Sequence, residues 1–160
     1  MTVRDFRLDD DTWASATPMR RAEWRAAIDD LRHAKLDTRF TGRYALLTPE
    51  AAGMKLEFLD DEGAVCETID VPLAVLEPHV SEYLAIIRRL DEGAGHREAS
   101  WVEAVDMAKK VVHDTAGRAL ASTVPSLSDD LETFRRFFTL LLALVVDTTR
   151  LVHARGHSSR

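Results

Sequence analysis

Cysteine is almost absent from this sequence, in which Cys66 is the only one among 160 residues. A lone cysteine closes no internal disulfide, and it has no second cysteine with which to form a CxxC zinc or redox motif. Chains without disulfides are typical of the reducing cytoplasm, so we expect a cytoplasmic protein. With 46% hydrophobic residues, a chain of this length can build a core without disulfides or metals.

Long apolar runs and an excess of basic side chains are also missing. The longest apolar stretch spans residues 137–146 and is interrupted by Thr139, whereas a membrane crossing needs about 20 apolar residues. The net charge is −6, from 27 acidic and 21 basic side chains, and affinity for nucleic acids depends on clustered Lys and Arg. The first residues lack the apolar core of a signal peptide. The sequence therefore predicts neither a membrane protein nor a nucleic-acid-binding protein.

Common catalytic and cofactor motifs do not occur in the sequence. It contains no GxxxxGK[ST] or GxGxxG loop for phosphates and no HExxH metal motif. It also contains no GxSxG nucleophile elbow. We therefore predict no cofactor and no metal, and the sequence favours a non-catalytic domain without deciding whether the protein is an enzyme.

Hydrophobic periodicity predicts where the helices and strands lie. A Thr–Pro pair at residues 17–18 supplies a cap and a first-turn proline for a helix. The turn at residues 60–63 contains a glycine and joins two alternating strands into a hairpin. The predicted strands are residues 2–8, 43–47, 54–59 and 65–71, and the predicted helices are residues 18–34, about 78–90, about 98–120 and about 129–152.

Two of these elements carry a prediction about which face is buried. On the third helix, an apolar stripe that includes Val105 and Val111 should face the core, and Gly117 should weaken the last turns. On the return strand of the hairpin, Val65 should share a buried face with Ile69.

The last helix is apolar around most of its circumference and should lie centrally in the fold. Ser126 or Ser128 is expected to cap its N-terminus. An exposed face made of Leu140, Leu144 and Val145 would indicate a homodimer or a protein partner, because large exposed apolar patches mark interfaces.

The elements together predict an α+β fold with one domain over residues 1–152. An N-terminal helix should precede a small antiparallel β-meander, and three more helices should follow, with the apolar C-terminal helix at the centre. Residues 153–160 are polar and basic and should form a disordered tail.

The third helix carries the densest group of polar side chains. Asp106 and His113 are seven residues apart and project in nearly the same direction, so Asp106 could orient His113 as a general base. Lys110 lies one turn after Asp106, and Arg136 on the last helix could pair with Asp106 or hold a small anionic ligand. The alternative is that these are ordinary surface and structural ion pairs.

His79 and Tyr83 are one turn apart on the second predicted helix, which is the first helix after the β-hairpin. His79 falls within the apolar face, where a buried, hydrogen-bonded structural histidine is the ordinary finding. The functional alternative is that His79 and Tyr83 line a pocket and serve polar recognition or proton transfer.

The residues 102–114, VEAVDMAKKVVHD, resemble the signature stretch of Uncharacterised Protein Family 0262. Weaker likenesses at residues 27–31 and 131–140 extend the resemblance over about residues 19–146, with a departure from the family pattern at residues 24–25. The resemblance implies a small, soluble, single-domain bacterial protein of the cytoplasm. It implies no reaction, since the family has no established activity.

Two functions therefore stay open. The first is a small non-catalytic binding or regulatory domain that acts through self-association or a protein partner, which the absence of catalytic motifs favours. The second is a small-molecule-binding protein or enzyme with a polar site made by Asp106, His113 and Arg136, between the third and last helices. This polar site is ruled out if the three side chains do not converge on one cavity, and it gains support if they do.

Overall fold

The N-terminal region forms a strand and a short helix. In the computed structural model, which describes residues 3–92 and 99–146, strand β1 is Phe6–Leu8 and helix α1 is Asp10–Ser15. The side chain of Asp9 accepts a hydrogen bond from the Thr12 amide at 3.3 Å, and this capping bond starts α1. The sequence analysis predicted the strand but not this helix, which is too short to show a hydrophobic period.

Helix α2, Pro18–Asp30, begins at the Thr–Pro pair as predicted. The Thr17 hydroxyl accepts a hydrogen bond from the Arg20 amide at 3.2 Å, and Pro18 occupies the first turn, where an amide hydrogen is not needed. The helix is shorter than the predicted 18–34, because the chain tightens into a 3-10 turn at Leu31–His33.

Four strands form one sheet in the order β1-β2-β3-β4. Strands β2 (Tyr44–Glu50), β3 (Gly53–Leu59) and β4 (Val65–Pro72) pair antiparallel and make the predicted meander. Strand β1 pairs parallel with β2, so the sheet is mixed rather than wholly antiparallel. Helices α1 and α2 lie between these two strands in the chain and supply the crossover that a parallel pair needs.

The β3–β4 hairpin turns where the sequence predicts. Asp60 Oδ1 accepts hydrogen bonds from the Glu62 and Ala64 amides at 2.9 Å each, and Gly63 adopts a φ of 82° that favours glycine. The predicted burial of Val65 is wrong, since 48% of it is exposed. Val65 is the first residue of β4, beyond a register irregularity next to Leu59.

Three further helices complete the α+β fold. Helix α3 is Glu77–Glu92, helix α4 is Ala99–Thr123 and helix α5 is Leu131–Val145. A 3-10 turn at Leu73–Val75 precedes α3, as the position of Pro78 predicts. Within the described residues, no helix has both the length and the apolarity that crossing a bilayer requires.

Helix α4 is longer than predicted, and its buried face is rotated. Val105 is buried, but Val111 is 52% exposed, so the predicted stripe covers only part of the true core face. Gly117 lies inside α4, which continues to Thr123, and a Cβ there would lie 3.1 Å from the Arg135 Cγ and 3.3 Å from the Leu131 Cδ1. The glycine therefore lets α4 and α5 approach closely.

Helix α5 is capped by a different residue from the two predicted. The Asp130 side chain accepts a hydrogen bond from the Thr133 amide at 3.1 Å. The prediction of a Ser126 or Ser128 cap is wrong; the Ser128 hydroxyl instead donates to the Lys35 carbonyl and accepts from the Asp130 amide. Ser128 thus ties the preceding loop to the region after α2.

The central position of α5 is confirmed by its burial. Leu140 is fully buried, and of the three residues predicted as an exposed face only Val145 is largely exposed, at 48%. Phe137 packs edge-to-face on Phe6 of β1, with ring centroids 5.9 Å apart. The sheet and the helices share one core, so the fold is a single domain. The buried residues of α5 are Thr133, Phe134, Phe137, Phe138, Leu140, Leu141, Leu142 and Ala143.

Candidate functional site

A cavity of about 430 Å³ opens between four helices, and we call it the helical cleft. Helix α2 supplies one wall, α3 and α4 supply one residue each, and α5 supplies the floor. Its volume lies in the range of about 300–1,000 Å³ that small-molecule sites occupy. The lining residues are Glu23, Ala26, Ala27, Asp30, Tyr83, His113, Thr139, Leu142 and Ala143.

Two long side chains of α2 hold that helix against the carbonyl end of α5. The Trp24 Nε1 donates to the Ala143 carbonyl at 3.0 Å, and the Arg20 Nη2 donates to the Leu144 carbonyl at 2.9 Å. These carbonyls belong to the last turn of α5, where no later residue of the helix can donate to them. The two bonds therefore satisfy acceptors that the helix itself leaves unpaired. They fix the wall of the helical cleft relative to its floor.

His113 is held in one orientation on α4. Its Nδ1 lies 2.8 Å from the Lys109 carbonyl oxygen. Because a carbonyl only accepts, Nδ1 carries a hydrogen, which leaves Nε2 as the hydrogen-bond acceptor whenever the ring carries a single hydrogen. The ring packs edge-to-face between Tyr83 and Phe138, with centroid distances of 5.8 and 5.2 Å.

Tyr83 faces His113 from α3 and is half-buried. Burial raises the pKa of its hydroxyl above the ordinary 10.0, and the negative charge of Glu23 raises this pKa further. Burial and a like charge both disfavour the phenolate. Tyr83 is therefore a neutral hydroxyl near neutral pH, able to donate and to accept.

Arg136 binds carboxylates of its own chain. Its Nη1 lies 2.7 Å from Asp30 Oδ1, and its Nη2 lies 3.9 Å from Glu132 Oε1. The predicted partner, Asp106, is replaced by Asp30 of α2. The neighbouring Arg135 makes the ion pair with α4, to Asp114 at 3.0 Å. Successive residues of a helix point about 100° apart, so the two arginines face different helices.

The structure brings some of the predicted site residues together and leaves others apart. Tyr83 and His113 line the helical cleft, and Arg136 lies behind Asp30 at its edge. His79 is half-buried on α3, and Asp106 and Lys110 are exposed on α4; none of these three lines the helical cleft. Within residues 3–92 and 99–146, no hydrogen bond joins Asp106 to His113, whose Nδ1 is engaged by Lys109.

Sequence reasoning missed the acidic wall of the helical cleft. Glu23 and Asp30 stand seven residues apart on α2, with Ala27 between them, and this spacing places all three on one helix face. Two carboxylates flanking small residues could have indicated a recess. In the described part of the chain, no group of three or more His, Cys, Asp or Glu could hold a metal ion.

A wider depression of about 830 Å³ lies at the edge of the sheet, but its chemistry is that of a solvated surface. Arg43 and Asp61 in its lining pair at 3.2 Å, with 66% and 81% of their side chains exposed. Pairs this exposed contribute about 0–1 kcal/mol and offer a ligand little desolvation. The helical cleft is therefore the better candidate site.

Similarity to known proteins covers most of the chain. A family model described as "Uncharacterised protein family (UPF0262)" matches residues 2–147. A UPF0262 protein of Paracoccus denitrificans is 25% identical over 151 residues, which are 86% of this chain and 91% of that protein. A UPF0262 protein of Novosphingobium aromaticivorans is 31% identical over 109 residues, 64% of this chain and 66% of that protein. A UPF0262 protein of Sphingopyxis alaskensis is 27% identical over 107 residues, which are 66% of this chain and 65% of that protein. No solved structure matches this chain significantly.

Proposed function

This chain belongs to UPF0262, an uncharacterised protein family, and we propose that it is a small-molecule-binding domain whose site is the helical cleft. The observation that carries the proposal is the edge-to-face contact of Tyr83 and His113 in the lining of that cavity, where His113 is also held by Phe138 and by the Lys109 carbonyl. Binding sites combine a mostly apolar lining with a few oriented polar groups. We propose a cytoplasmic location, where the exposed thiol of Cys66 stays reduced.

The binding role is favoured over catalysis by the arrangement of His113. A general base needs an orienting partner and a substrate in reach, but the predicted partner, Asp106, is exposed seven residues before His113 on α4, and the Nδ1 of His113 is engaged by Lys109. Lys109 O, which accepts from Nδ1, orients the ring without supplying negative charge. The imidazole of His113 is thus better suited to recognise a ligand than to remove a proton from one.

The test is native mass spectrometry of the full chain, purified gently and without metal-chelating steps. We expect the protein to retain a small molecule, and the variant Ala26→Leu to lose it. Ala26 is exposed and lines the helical cleft, so the larger side chain fills the cavity without entering the core. Ala22→Leu, on the exposed part of the same helix, is the matched control and should keep the ligand.

The same spectra also count subunits and so examine a second candidate function, self-association. Met107 and Val111 lie one turn apart on α4 and are 60% and 52% exposed, and exposed apolar side chains that neighbour each other are a feature of protein interfaces. A dimer without any retained mass, unchanged by Ala26→Leu, would contradict the small-molecule role and favour α4 as a protein interface.

A further inference from the structure

We infer that this chain forms a homodimer in which helix α4 packs antiparallel against α4 of a second copy. The contact surface is the α4 seam, which we define as Ser100, Ala104, Met107 and Val111. This inference gives the self-association described above a partner, an orientation and a set of contacts. It does not depend on the small-molecule role, because Val111 and His113 are two residues apart and point to nearly opposite sides of α4.

The α4 seam has the spacing of a helix–helix interface. Its residues follow each other at intervals of four, three and four along the chain, the repeat that places one stripe of side chains against a partner helix. All four are exposed, and the two large ones are the 60% and 52% exposed Met107 and Val111. Other apolar residues of the helix, such as Val105 and Val112, face the core of their own chain. Helix α4 therefore has a second, mostly apolar stripe that nothing in the described part of the chain covers.

The charges beside the α4 seam match a second copy of the same helix. Glu103 and Lys110 are exposed and seven residues apart, so they lie on one flank of the seam, two turns from each other. Antiparallel pairing with Ala104 opposite Met107 of the second copy brings each Glu103 to Lys110 of the other chain. Because a two-fold axis repeats every contact, the dimer contains two such ion pairs.

A parallel pairing of the same two helices does not give this match. Glu103 would then face Ala108 of the second copy, and Lys110 would face Thr115. Opposite charges would not meet, so the electrostatic complementarity selects the antiparallel orientation.

The contact is a single pair of helices and is therefore small. Stable interfaces of standard size bury about 800 Å² on each partner, which is more than one stripe of four side chains supplies. We expect a dimer of micromolar or weaker affinity that exchanges with the monomer.

The experiment is sedimentation equilibrium of the full chain, from micromolar to near-millimolar concentration. We expect reversible association to a dimer. Met107→Lys should abolish it, because this change removes the largest apolar contact of the α4 seam and places a positive charge there in both copies. Met19→Lys is the matched control, since Met19 is 61% exposed on α2 and lies outside the seam. This control should dimerise as the parent does.

Charge exchange tests the orientation of the two helices. Glu103→Lys should weaken the dimer by about tenfold or more, because it replaces both attractive pairs by like-charge pairs. The double variant Glu103→Lys with Lys110→Glu rebuilds the pairs with the charges exchanged and should dimerise as the parent does. Its net charge equals that of the parent, so a recovery cannot come from a change in overall charge.

Three outcomes would overturn the inference. The first is a parent protein that stays monomeric at every concentration, and the second is a dimer that Met107→Lys leaves intact. The third is a dimer that Glu103→Lys leaves unchanged or that the double variant does not restore. Far-UV circular dichroism and urea unfolding equal to those of the parent show that a variant has lost association and not its fold. The retained mass and its loss on Ala26→Leu test the helical cleft separately, because no residue of the α4 seam lines that cavity.

Discussion

At the residue scale, the ionisation of Tyr83 reports directly on the interior of the helical cleft. The chain has only two tyrosines, so Tyr44→Phe leaves the Tyr83 phenolate as the only one visible in ultraviolet absorbance. We expect an apparent pKa above the ordinary 10.0, because burial and then Glu23 disfavour the phenolate. Adding Glu23→Gln should lower this pKa only in part, since burial is the larger cause.

The raised pKa of Tyr83 also determines how this residue's contribution to the free energy of unfolding changes with pH. The folded chain holds the Tyr83 proton more tightly than the unfolded chain, because its folded pKa is raised. The resulting stabilisation is fully present below the unfolded pKa of about 10 and is lost as the pH rises through the folded value. A Tyr83 pKa at or below its ordinary value would show that the side chain is solvated and that the cavity is not enclosed.

Thr133 is a polar side chain that is buried in the apolar helix α5 with its hydroxyl fully hydrogen-bonded. It is fully buried, and its hydroxyl accepts from the Lys35 amide at 2.7 Å and donates to Asp130 Oδ2 at 2.8 Å. A buried hydroxyl costs little when both its hydrogen and its oxygen are bonded. Thr133 thereby fastens the start of α5 to the segment after α2.

At the element scale, the start of α5 depends on Asp130. Replacing Asp130 by Ala removes the acceptor of the Thr133 amide and of the Thr133 hydroxyl, so we expect a loss of about 1–2 kcal/mol in the free energy of unfolding. Asp129→Ala is the matched control, because Asp129 is exposed and acidic but does not cap the helix. Urea unfolding measures the free energy of unfolding of both variants. An equal loss in the two variants would mean that the negative charge near the start of α5 stabilises the helix and that the capping bonds of Asp130 do not.

The contact between α4 and α5 explains a glycine inside a long helix. A glycine in a helix interior costs about 1 kcal/mol relative to alanine, yet Gly117 is buried where a Cβ would come within 3.1 Å of Arg135. Close approach of the two helices offsets the lost helix propensity. It also brings His113 of α4 against Phe138 of α5, which builds one side of the helical cleft.

At the scale of the whole molecule, the sheet and the helices should unfold together. Phe58 of β3 and Phe138 of α5 are both fully buried in one continuous core. Truncating either to Ala should cost about 3–5 kcal/mol, whereas Met107→Ala, at a side chain that is 60% exposed, should change stability little. Urea transitions followed by circular dichroism and by tryptophan fluorescence should coincide in each variant. Separate transitions for the sheet and the helices would contradict a shared core.

The sequence by itself determined the α+β class and the position of most elements. The structure confirms the Thr–Pro start of α2, the β3–β4 hairpin, the helix that begins near Pro78 and the central burial of α5. These features depend on residues close to each other in the chain, whose caps, turns and periodicity are local properties. The boundaries at 1–152 and the tail at 153–160 stay predictions, because residues 147–160 lie outside the described part of the chain.

Tertiary packing alone decided the rest. It paired β1 parallel to β2, rotated the buried face of α4 and chose Asp30, 106 residues away in the chain, as the partner of Arg136. It also assembled the helical cleft, whose lining comes from four helices. Periodicity shows which residues share one face of a helix, but which neighbour meets that face depends on how all the elements pack at once. The acidic character of the cavity was therefore visible only after the chain was folded.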